Sequence, residues 1–232
     1  MRTSFLLHLL LPVCASAQHL TYTEWQRRAM VDRRLDPCYG AGPKTPAQVK
    51  SDAEFVAATL AVDSVRPSAS GRLVDHGTAL LKEGDLTQAM MRFNQAWLVD
   101  STSARPFWGF GTFFMALDRP AVAVRWYTRG LERDSANVRL LDGLATALLA
   151  ERHATTEEEP ERRNDLLSAA LSVLQQAHAA DPNDGPVVHR LAICQLLRRD
   201  CAEARRLAQR CAALPSCPSE PGFQESLRKR CP

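Results

Sequence analysis

Apolar residues recur three and four positions apart along much of this chain, as they do on one face of a helix. Leu141, Ala145 and Leu148 show this spacing near the middle of the sequence. Two turn-like stretches, Gly84-Asp85 and Asp118-Arg119-Pro120, separate such segments, and a proline in this place suits the first turn of a helix. The pattern predicts helices that are joined in pairs by short turns.

A repeat of 34 residues underlies these pairs, because residues 70–103 and 104–137 align without a gap. Small or aromatic residues coincide at this offset: Gly77 with Gly111, Ala89 with Ala123, Phe93 with Tyr127, Ala96 with Gly130, and Ser101 with Ser135. We interpret the two glycines as the points where the helices of a pair cross. Phe93 and Tyr127 would then fill the space between neighbouring pairs. A single pair cannot bury its apolar face, so such units stack.

The pattern resembles the tetratricopeptide repeat, which expects small residues at positions eight and twenty-seven, alanine at twenty and an aromatic residue at twenty-four. The resemblance implies an all-α fold, a right-handed superhelical α-solenoid of about four helix pairs. Its units are expected at 70–103, 104–137, 138–184 and 185–217. The third carries an insertion around 153–164, for which we expect a longer second helix with a solvated loop; the alternative is a binding device. In the fourth, Ala208 replaces the aromatic residue, as a terminal repeat allows.

Both ends of the chain extend beyond the repeats. Residues 18–69 are expected to form a helical extension, with one helix over 22–35 that carries Trp25. Thr45 followed by Pro46 predicts the start of a second helix. Residues 218–232 are expected to form a cysteine-containing cap with a short helix over 221–229.

Residues 1–17 have the features of a cleaved signal peptide. Arg2 supplies positive charge, a short apolar stretch follows, and Ala15-Ser16-Ala17 offers small residues for cleavage. The apolar stretch is too short to span a bilayer, which takes about 20 residues. Lipoprotein anchoring at Cys14 is the alternative, but the preceding Val13 is larger than such signals prefer. We therefore expect a secreted or periplasmic protein with no transmembrane segment.

Composition agrees with this interpretation. Aromatic residues make up 6% of the chain, well below what a sheet protein favours. The net charge of +3 comes from 29 basic and 26 acidic residues that are spread along the sequence. No basic stripe with interleaved aromatics is present, so nucleic acid is not an expected partner.

Six cysteines follow the signal, and five of them lie between residues 194 and 231. They are Cys38, Cys194, Cys201, Cys211, Cys217 and Cys231. An even number in an exported chain predicts disulfides concentrated at the C-terminal end, with the connectivity open. The alternative for Cys194 or Cys211 is a buried free thiol on a helix face. The spacings fit no zinc template, so neither a metal nor a cofactor is expected.

The sequence carries no recognisable catalytic constellation. A glycine-rich phosphate loop, a Gly-x-Ser-x-Gly elbow and a His-Glu-x-x-His motif are all absent. His178 and His189 are interpreted as structural rather than as metal ligands. We therefore expect a chain that is not an enzyme.

In the tetratricopeptide family, positions two, five, nine and twelve of each repeat line a concave groove that binds ligands. The resemblance implies groove residues Arg105, Trp108, Thr112 and Met115 in the second repeat, Arg139, Asp142 and Thr146 in the third, and His189 in the fourth. Trp108 would be an aromatic anchor for a partner, with burial against the next repeat as the alternative.

Two further features of this groove concern polar groups. Thr78, Thr112 and Thr146 recur every 34 residues and predict a polar ladder, unless they are simply tolerated small residues. Arg105 and Arg139 are one repeat apart and are placed to clasp a carboxylate.

Two functional hypotheses follow. The first is a scaffold of the periplasm or cell envelope whose groove binds a protein or peptide. The second is a structural module that self-associates, as a homodimer for example, through Trp25, Trp97 or the convex face.

Overall fold

The computed structural model describes residues 20–231, which form eleven α-helices and no strand. The α-helices are α1 Tyr22–Val31, α2 Pro46–Val62, α3 Arg66–Lys82, α4 Leu86–Val99, α5 Arg105–Ala116, α6 Pro120–Leu131, α7 Val138–Ala154, α8 Pro160–Ala180, α9 Gly185–Leu197, α10 Cys201–Ala212 and α11 Pro221–Arg230. Two short 3₁₀ segments, Arg33–Leu35 and Pro37–Ala41, lie between α1 and α2. The predicted signal peptide and Cys14 lie outside the described residues.

Helices α3 to α10 form four antiparallel pairs that stack in chain order. The first helices of neighbouring pairs touch one another, α3 with α5 and α5 with α7. Second helices of neighbouring pairs, such as α4 and α6, share little or no direct contact within the described chain. A stack that is tighter on one side curves toward that side, so the first helices line the concave face. The prediction of an all-α solenoid with an N-terminal helical extension and a short C-terminal helix is confirmed.

Aromatic rings fill the space between the pairs, as the repeat predicts. Phe93 of α4 is fully buried and Tyr127 of α6 nearly so. A Cβ atom on Gly77 would lie 2.6 Å from the Phe93 ring, and one on Gly111 would meet the Tyr127 ring as closely. The rings therefore occupy the volume that the glycines leave empty.

The insertion in the third unit lengthens both of its helices. Helix α7 has 17 residues and α8 has 21, against 12 in each of α5 and α6. The remaining loop covers only residues 155–159. An ion pair of 3.0 Å between Arg162 of α8 and Glu151 of α7 joins the added turns. The expectation of a longer second helix was thus incomplete, because the first helix grows as well.

The N-terminal segment packs on the stack through an aromatic cluster. The Trp25 ring lies 5.7 Å from that of Phe113 and 5.1 Å from that of Phe114, both on α5. The Trp25 indole donates a hydrogen bond of 3.1 Å to the Leu35 carbonyl. Trp25 is 6% exposed, so it is not available for contact with a second copy of the chain.

The helix expected over residues 22–35 was too long, since α1 ends at Val31. Asp32 breaks it: its backbone is extended, and its carboxylate accepts a hydrogen bond from the Arg34 amide to start the first 3₁₀ turn. The second helix does begin at Pro46, where Thr45 and Gln48 form a capping box. It has no buried residue.

The C-terminal cap contains α11, and two pairs of cysteines lie at the distance of a disulfide bond, Cys201 with Cys231 and Cys211 with Cys217. Cys38 and Cys194 are free. Cys194 is fully buried, which agrees with the thiol alternative at that position but not at Cys211. Within residues 20–231, none of the helices combines the length and the apolar character needed to cross a bilayer.

Candidate functional site

Three predicted site residues meet where α5 and α7 begin. The guanidinium carbon of Arg139 lies 3.6 Å from the centre of the Trp108 ring, a cation–π contact. Together with Arg105 they line a cavity of about 200 Å³. Val74, Ala104, Asn137 and Leu140 complete its wall. Trp108 is half-buried, so both interpretations of it hold in part: one side packs on the core and the rest lines the cavity.

Helix α3 holds Arg105 in place. The Arg105 Nη2 atom lies 3.0 Å and 3.2 Å from the two carboxylate oxygens of Asp75. A Cβ atom on Gly71 would overlap the Arg105 guanidinium, which means that the guanidinium rests directly on the α3 backbone. Sequence reasoning missed Asp75 and the role of Gly71, because the contact joins two repeats.

Positive charge exceeds negative charge at this point. Burial lowers the pKa of Arg139, and nearby Arg105 lowers it further, while Asp75 partly opposes both. Two guanidinium groups therefore share one carboxylate. A second carboxylate brought by a ligand would relieve their repulsion and is the group that two arginines recognise best.

The threonine ladder is present, but its hydroxyls are already used. Each donates to the carbonyl four residues earlier in its own helix, at 2.8 Å for Thr78, 2.9 Å for Thr112 and 2.8 Å for Thr146. The Thr112 hydroxyl also lies 3.3 Å from that of Tyr127. The ladder is therefore not a row of free hydrogen-bond donors.

An apolar stripe runs beside the threonines. Leu81, Met115 and Leu149 recur at the same 34-residue interval, one on each first helix. All three are partly buried and pack on the core. Sequence reasoning placed Met115 in the groove but did not recognise the stripe, although the interval was visible.

Comparison with solved structures identifies the architecture. TTC0263, a thermophilic TPR protein of Thermus thermophilus, superposes with a TM-score of 0.58 over 69% of this chain and 80% of its own, at 18% identity. The chain has the tetratricopeptide-repeat fold. YrrB, described as a TPR protein with an unusual peptide-binding site, matches 88% of this chain and 97% of its own, with a TM-score of 0.50 and 14% identity. No protein-family model matches the sequence, and no curated protein does either.

Asp142, another predicted groove residue, is engaged within the tetratricopeptide-repeat array. Its carboxylate lies 2.5 Å from Nη1 of Arg190, so the pair ties α7 to α9. Burial raises the pKa of Asp142, and the attraction of Arg190 opposes this shift without cancelling it. The carboxylate is part of the scaffold and not a free group for a ligand.

His189 does not lie in the open groove, contrary to the expectation from the repeat register. Its ring is 5% exposed and packs at 4.8 Å, edge to face, on Phe223 of the capping helix α11. The cap folds back over α9 and covers this position. Of the eight predicted site residues, the structure thus brings Arg105, Trp108 and Arg139 together and separates His189 from them.

A larger cavity, about 490 Å³, lies between the N-terminal segment and α4. Its charged side chains already have partners: Lys44 pairs with Asp52, Arg34 with Asp32, and Arg33 bonds to the Tyr39 and Pro43 carbonyls. The smaller cavity at Arg105 and Arg139, with its excess positive charge, is the better candidate for a site.

Proposed function

We propose that the chain is a non-enzymatic scaffold that binds a peptide or an extended protein segment in the concave groove formed by α3, α5 and α7. The observation that carries the proposal is the convergence of Arg105, Trp108 and Arg139 on one cavity. Trp and Arg are the residue types most enriched at binding hot spots.

The groove defines the chemistry of the ligand. A carboxylate, from an acidic side chain or a chain terminus, fits between Arg105 and Arg139. Apolar side chains of the ligand would lie along Leu81, Met115 and Leu149. A short acidic peptide with neighbouring apolar residues is therefore the proposed ligand class.

The compartment is proposed on separate grounds. The signal-like residues 1–17 and the two cysteine pairs at disulfide distance support a secreted or periplasmic protein with disulfide bonds. The periplasm or cell envelope is our proposal for its place of action.

Self-association is the second candidate function. We propose the N-terminal segment, rather than the convex face, as its contact surface. The large apolar side chains that are most exposed lie there: Met30, Val31, Val49, Val62 and Val65. Light scattering of the purified chain at two concentrations distinguishes the candidates, because a dimer through this segment would scatter with twice the monomer mass.

The groove is tested with peptides selected by phage display on the purified chain. We expect the selected peptides to carry a carboxylate. Trp108→Ala should weaken their binding by about 2 kcal/mol, roughly thirtyfold in Kd.

Salt dependence separates the roles of the arginines and the tryptophan. The loss of affinity in Arg105→Gln and Arg139→Gln should become smaller as salt is raised, whereas the loss in Trp108→Ala should persist. Arg125→Gln, at an exposed position of α6, is the control with the same change of charge. Peptides that bind all three groove variants like wild type would exclude the groove.

Gly71→Ala tests whether the position of Arg105 matters and not only its charge. The new methyl group would overlap the Arg105 guanidinium, which is 43% exposed and would have to move toward solvent. We expect the melting temperature to change little and the peptide affinity to fall as in Arg105→Gln. Gly222→Ala, where a Cβ atom meets nothing within 4 Å, is the control. Unchanged affinity in Gly71→Ala would show that the placement of Arg105 is not required.

A further inference from the structure

The C-terminal cap gathers three metal-binding atom types around one cavity. A ring nitrogen of His189 and the sulfur atoms of Cys211 and Cys217 all lie within 4.8 Å of one another. They border a cavity of about 310 Å³ between α9, α10 and α11. The three residues come from α9, α10 and the loop 213–220, so their spacing in the sequence does not match a metal-binding motif.

The imidazole of His189 is the feature that needs explanation. It is almost fully buried, yet Nε2 makes no hydrogen bond. A Glu220 carboxylate oxygen lies 3.2 Å away, close enough for a hydrogen bond but without the direction of one. A buried polar atom without a hydrogen bond costs about 1–3 kcal/mol, and a metal bound at Nε2 would remove this cost.

Cys211 and Cys217 form a disulfide in the structure, and their chemistry changes when that bond is reduced. As a disulfide they have no thiolate to offer. Reduction by a dithiol or phosphine breaks the S–S bond, and each sulfur gains one electron and one proton while the reductant is oxidised by two electrons. The two thiols then border the free Nε2 of His189.

We propose that the reduced cap is a zinc site, with Cys211, Cys217 and His189 as ligands and Glu220 as the fourth. Two thiolates and one imidazole are a ligand set that binds zinc in preference to harder cations. Binding releases the two thiol protons, and the two thiolates balance the charge of Zn²⁺. Glu220 already lies beside Nε2 and would have to approach the two sulfur atoms to complete a tetrahedron.

The local backbone permits the closure that zinc requires. Ligand atoms around a tetrahedral zinc lie roughly 3.3–3.8 Å apart, given Zn–S of about 2.3 Å and Zn–N of about 2.0 Å. Once the disulfide is reduced, the two sulfur atoms need to move apart. The His189 nitrogen, which lies within 4.8 Å of both, needs to approach them by about 1 Å. Cys217 and Glu220 lie in the non-helical loop 213–220, so their movement would not require α9 or α10 to unwind.

Zinc and the disulfide exclude each other at this site. Metal binding protects the thiolates from oxidation, and oxidation to the disulfide expels the metal. The cap thus exchanges one stabilising cross-link for another as the thiol–disulfide balance changes.

Cobalt is the probe for this site, since Co²⁺ held by thiolates in a tetrahedral site absorbs in both the charge-transfer and the d–d regions. We expect the phosphine-reduced wild-type chain to take up one Co²⁺, displaced by Zn²⁺, and the oxidised chain to take up none. His189→Asn should weaken binding at least tenfold, Cys217→Ser should abolish the thiolate bands, and His189→Cys should restore tight binding. Cys201→Ser should leave the bands unchanged. A reduced wild-type chain without cobalt bands overturns the proposal.

Alkylation provides a second test within the same molecule. In the reduced chain, zinc should slow the alkylation of Cys211 and Cys217 and leave that of Cys201 and Cys231 unchanged, as read by mass spectrometry. This comparison does not depend on the stability of any variant. Equal rates for Cys217 with and without zinc would contradict the site.

Discussion

Two aromatic rings are each held between a pair of glycines from neighbouring helix pairs. A Cβ atom on Gly109 would lie 2.5 Å from the Phe93 ring, which a Cβ atom on Gly77 would meet as well. A Cβ atom on Gly143 would likewise lie 2.7 Å from the Tyr127 ring, which a Cβ atom on Gly111 would also meet. Each ring therefore fixes the crossing within one pair and the distance to the next. Even one methyl group at a glycine forces a buried ring to move.

Gly111→Ala should therefore destabilise the chain. Alanine gains up to about 1 kcal/mol in helix propensity over glycine, but overpacking a core costs about 1–3 kcal/mol. The Tyr127 ring is only 3% exposed and has little room to retreat, so we expect the cost to prevail. Urea unfolding followed by circular dichroism gives the difference. Gly222→Ala is the control, with open space at its Cβ, and equal midpoints for the two variants would contradict this packing.

The sequence predicted the contact of each ring with the glycine of its own helix pair, but not the contact with the next pair. Gly77, Gly111, Phe93 and Tyr127 follow from the repeat, because its pattern records the crossing within a pair. Gly109 and Gly143 also recur 34 residues apart, but nothing in a single repeat says that they touch the ring of the preceding one. Their role depends on how the pairs stack.

The turns inside the first, second and fourth helix pairs share one left-handed residue. Its φ is 85° at Gly84, 55° at Asp118 and 64° at Arg199. In each turn the next amide donates to a carbonyl five residues earlier, as in Asp85 to Leu80 at 2.9 Å. This is the Schellman arrangement that ends a helix, and glycine suits it best. Two of the three turns therefore carry a side chain at a position that favours glycine.

Arg199→Gly should accordingly stabilise the fourth pair. A residue other than glycine in the left-handed region costs about 1 kcal/mol, and glycine recovers part of this despite its larger entropy in the unfolded chain. We expect the melting temperature to rise. Gly84→Ala, the reverse change at the equivalent turn, should lower it. If both variants shift in the same direction, the left-handed turn is not what determines their stability.

The N-terminal element shows why local pattern misses some boundaries. Helix α1 stops at Val31, whereas the apolar spacing continued to Leu35. The amide of Asn94, on α4, donates to the Arg34 and Asp36 carbonyls at 2.9 Å and 3.0 Å. Those carbonyls are free for Asn94 because this stretch is not an α-helix. The partner lies about 60 residues away, so no local window contains it.

For the whole molecule, the repeat register predicted the groove residues of the second and third repeats but not the covered C-terminal end of the groove. Arg105, Trp108 and Arg139 meet because each follows from a position in the repeat. His189 has an equivalent position, yet the capping helix α11 covers it. Helix α11 has no counterpart in the other pairs, and the register carries no information about it. The zinc ligands proposed above escaped sequence reasoning for the same reason.

The cap also determines how the array should unfold. In a repeat stack each pair contacts only its neighbours, so an end can open while the rest stays folded. The fourth pair lacks an interleaved aromatic, and α11 packs mainly on α9 and α10. The cysteine pairs, if bonded, hold this end closed. Cys201 and Cys231 are 30 residues apart, and Cys211 and Cys217 only 6.

Removing the longer cross-link should therefore loosen the C-terminal end most. Loop-closure entropy gives about 3.5 kcal/mol for a separation of 30 residues and about 2 kcal/mol for 6. In a metal-free buffer, we expect the double variant Cys201→Ser and Cys231→Ser to lose hydrogen-exchange protection in α9 to α11 and to keep it in α3 to α6. The double variant Cys211→Ser and Cys217→Ser should lose less, because its loop is shorter. Protection that falls equally across all helices would mean that the array unfolds as one unit, and unchanged protection would mean that the cross-link does not hold the cap.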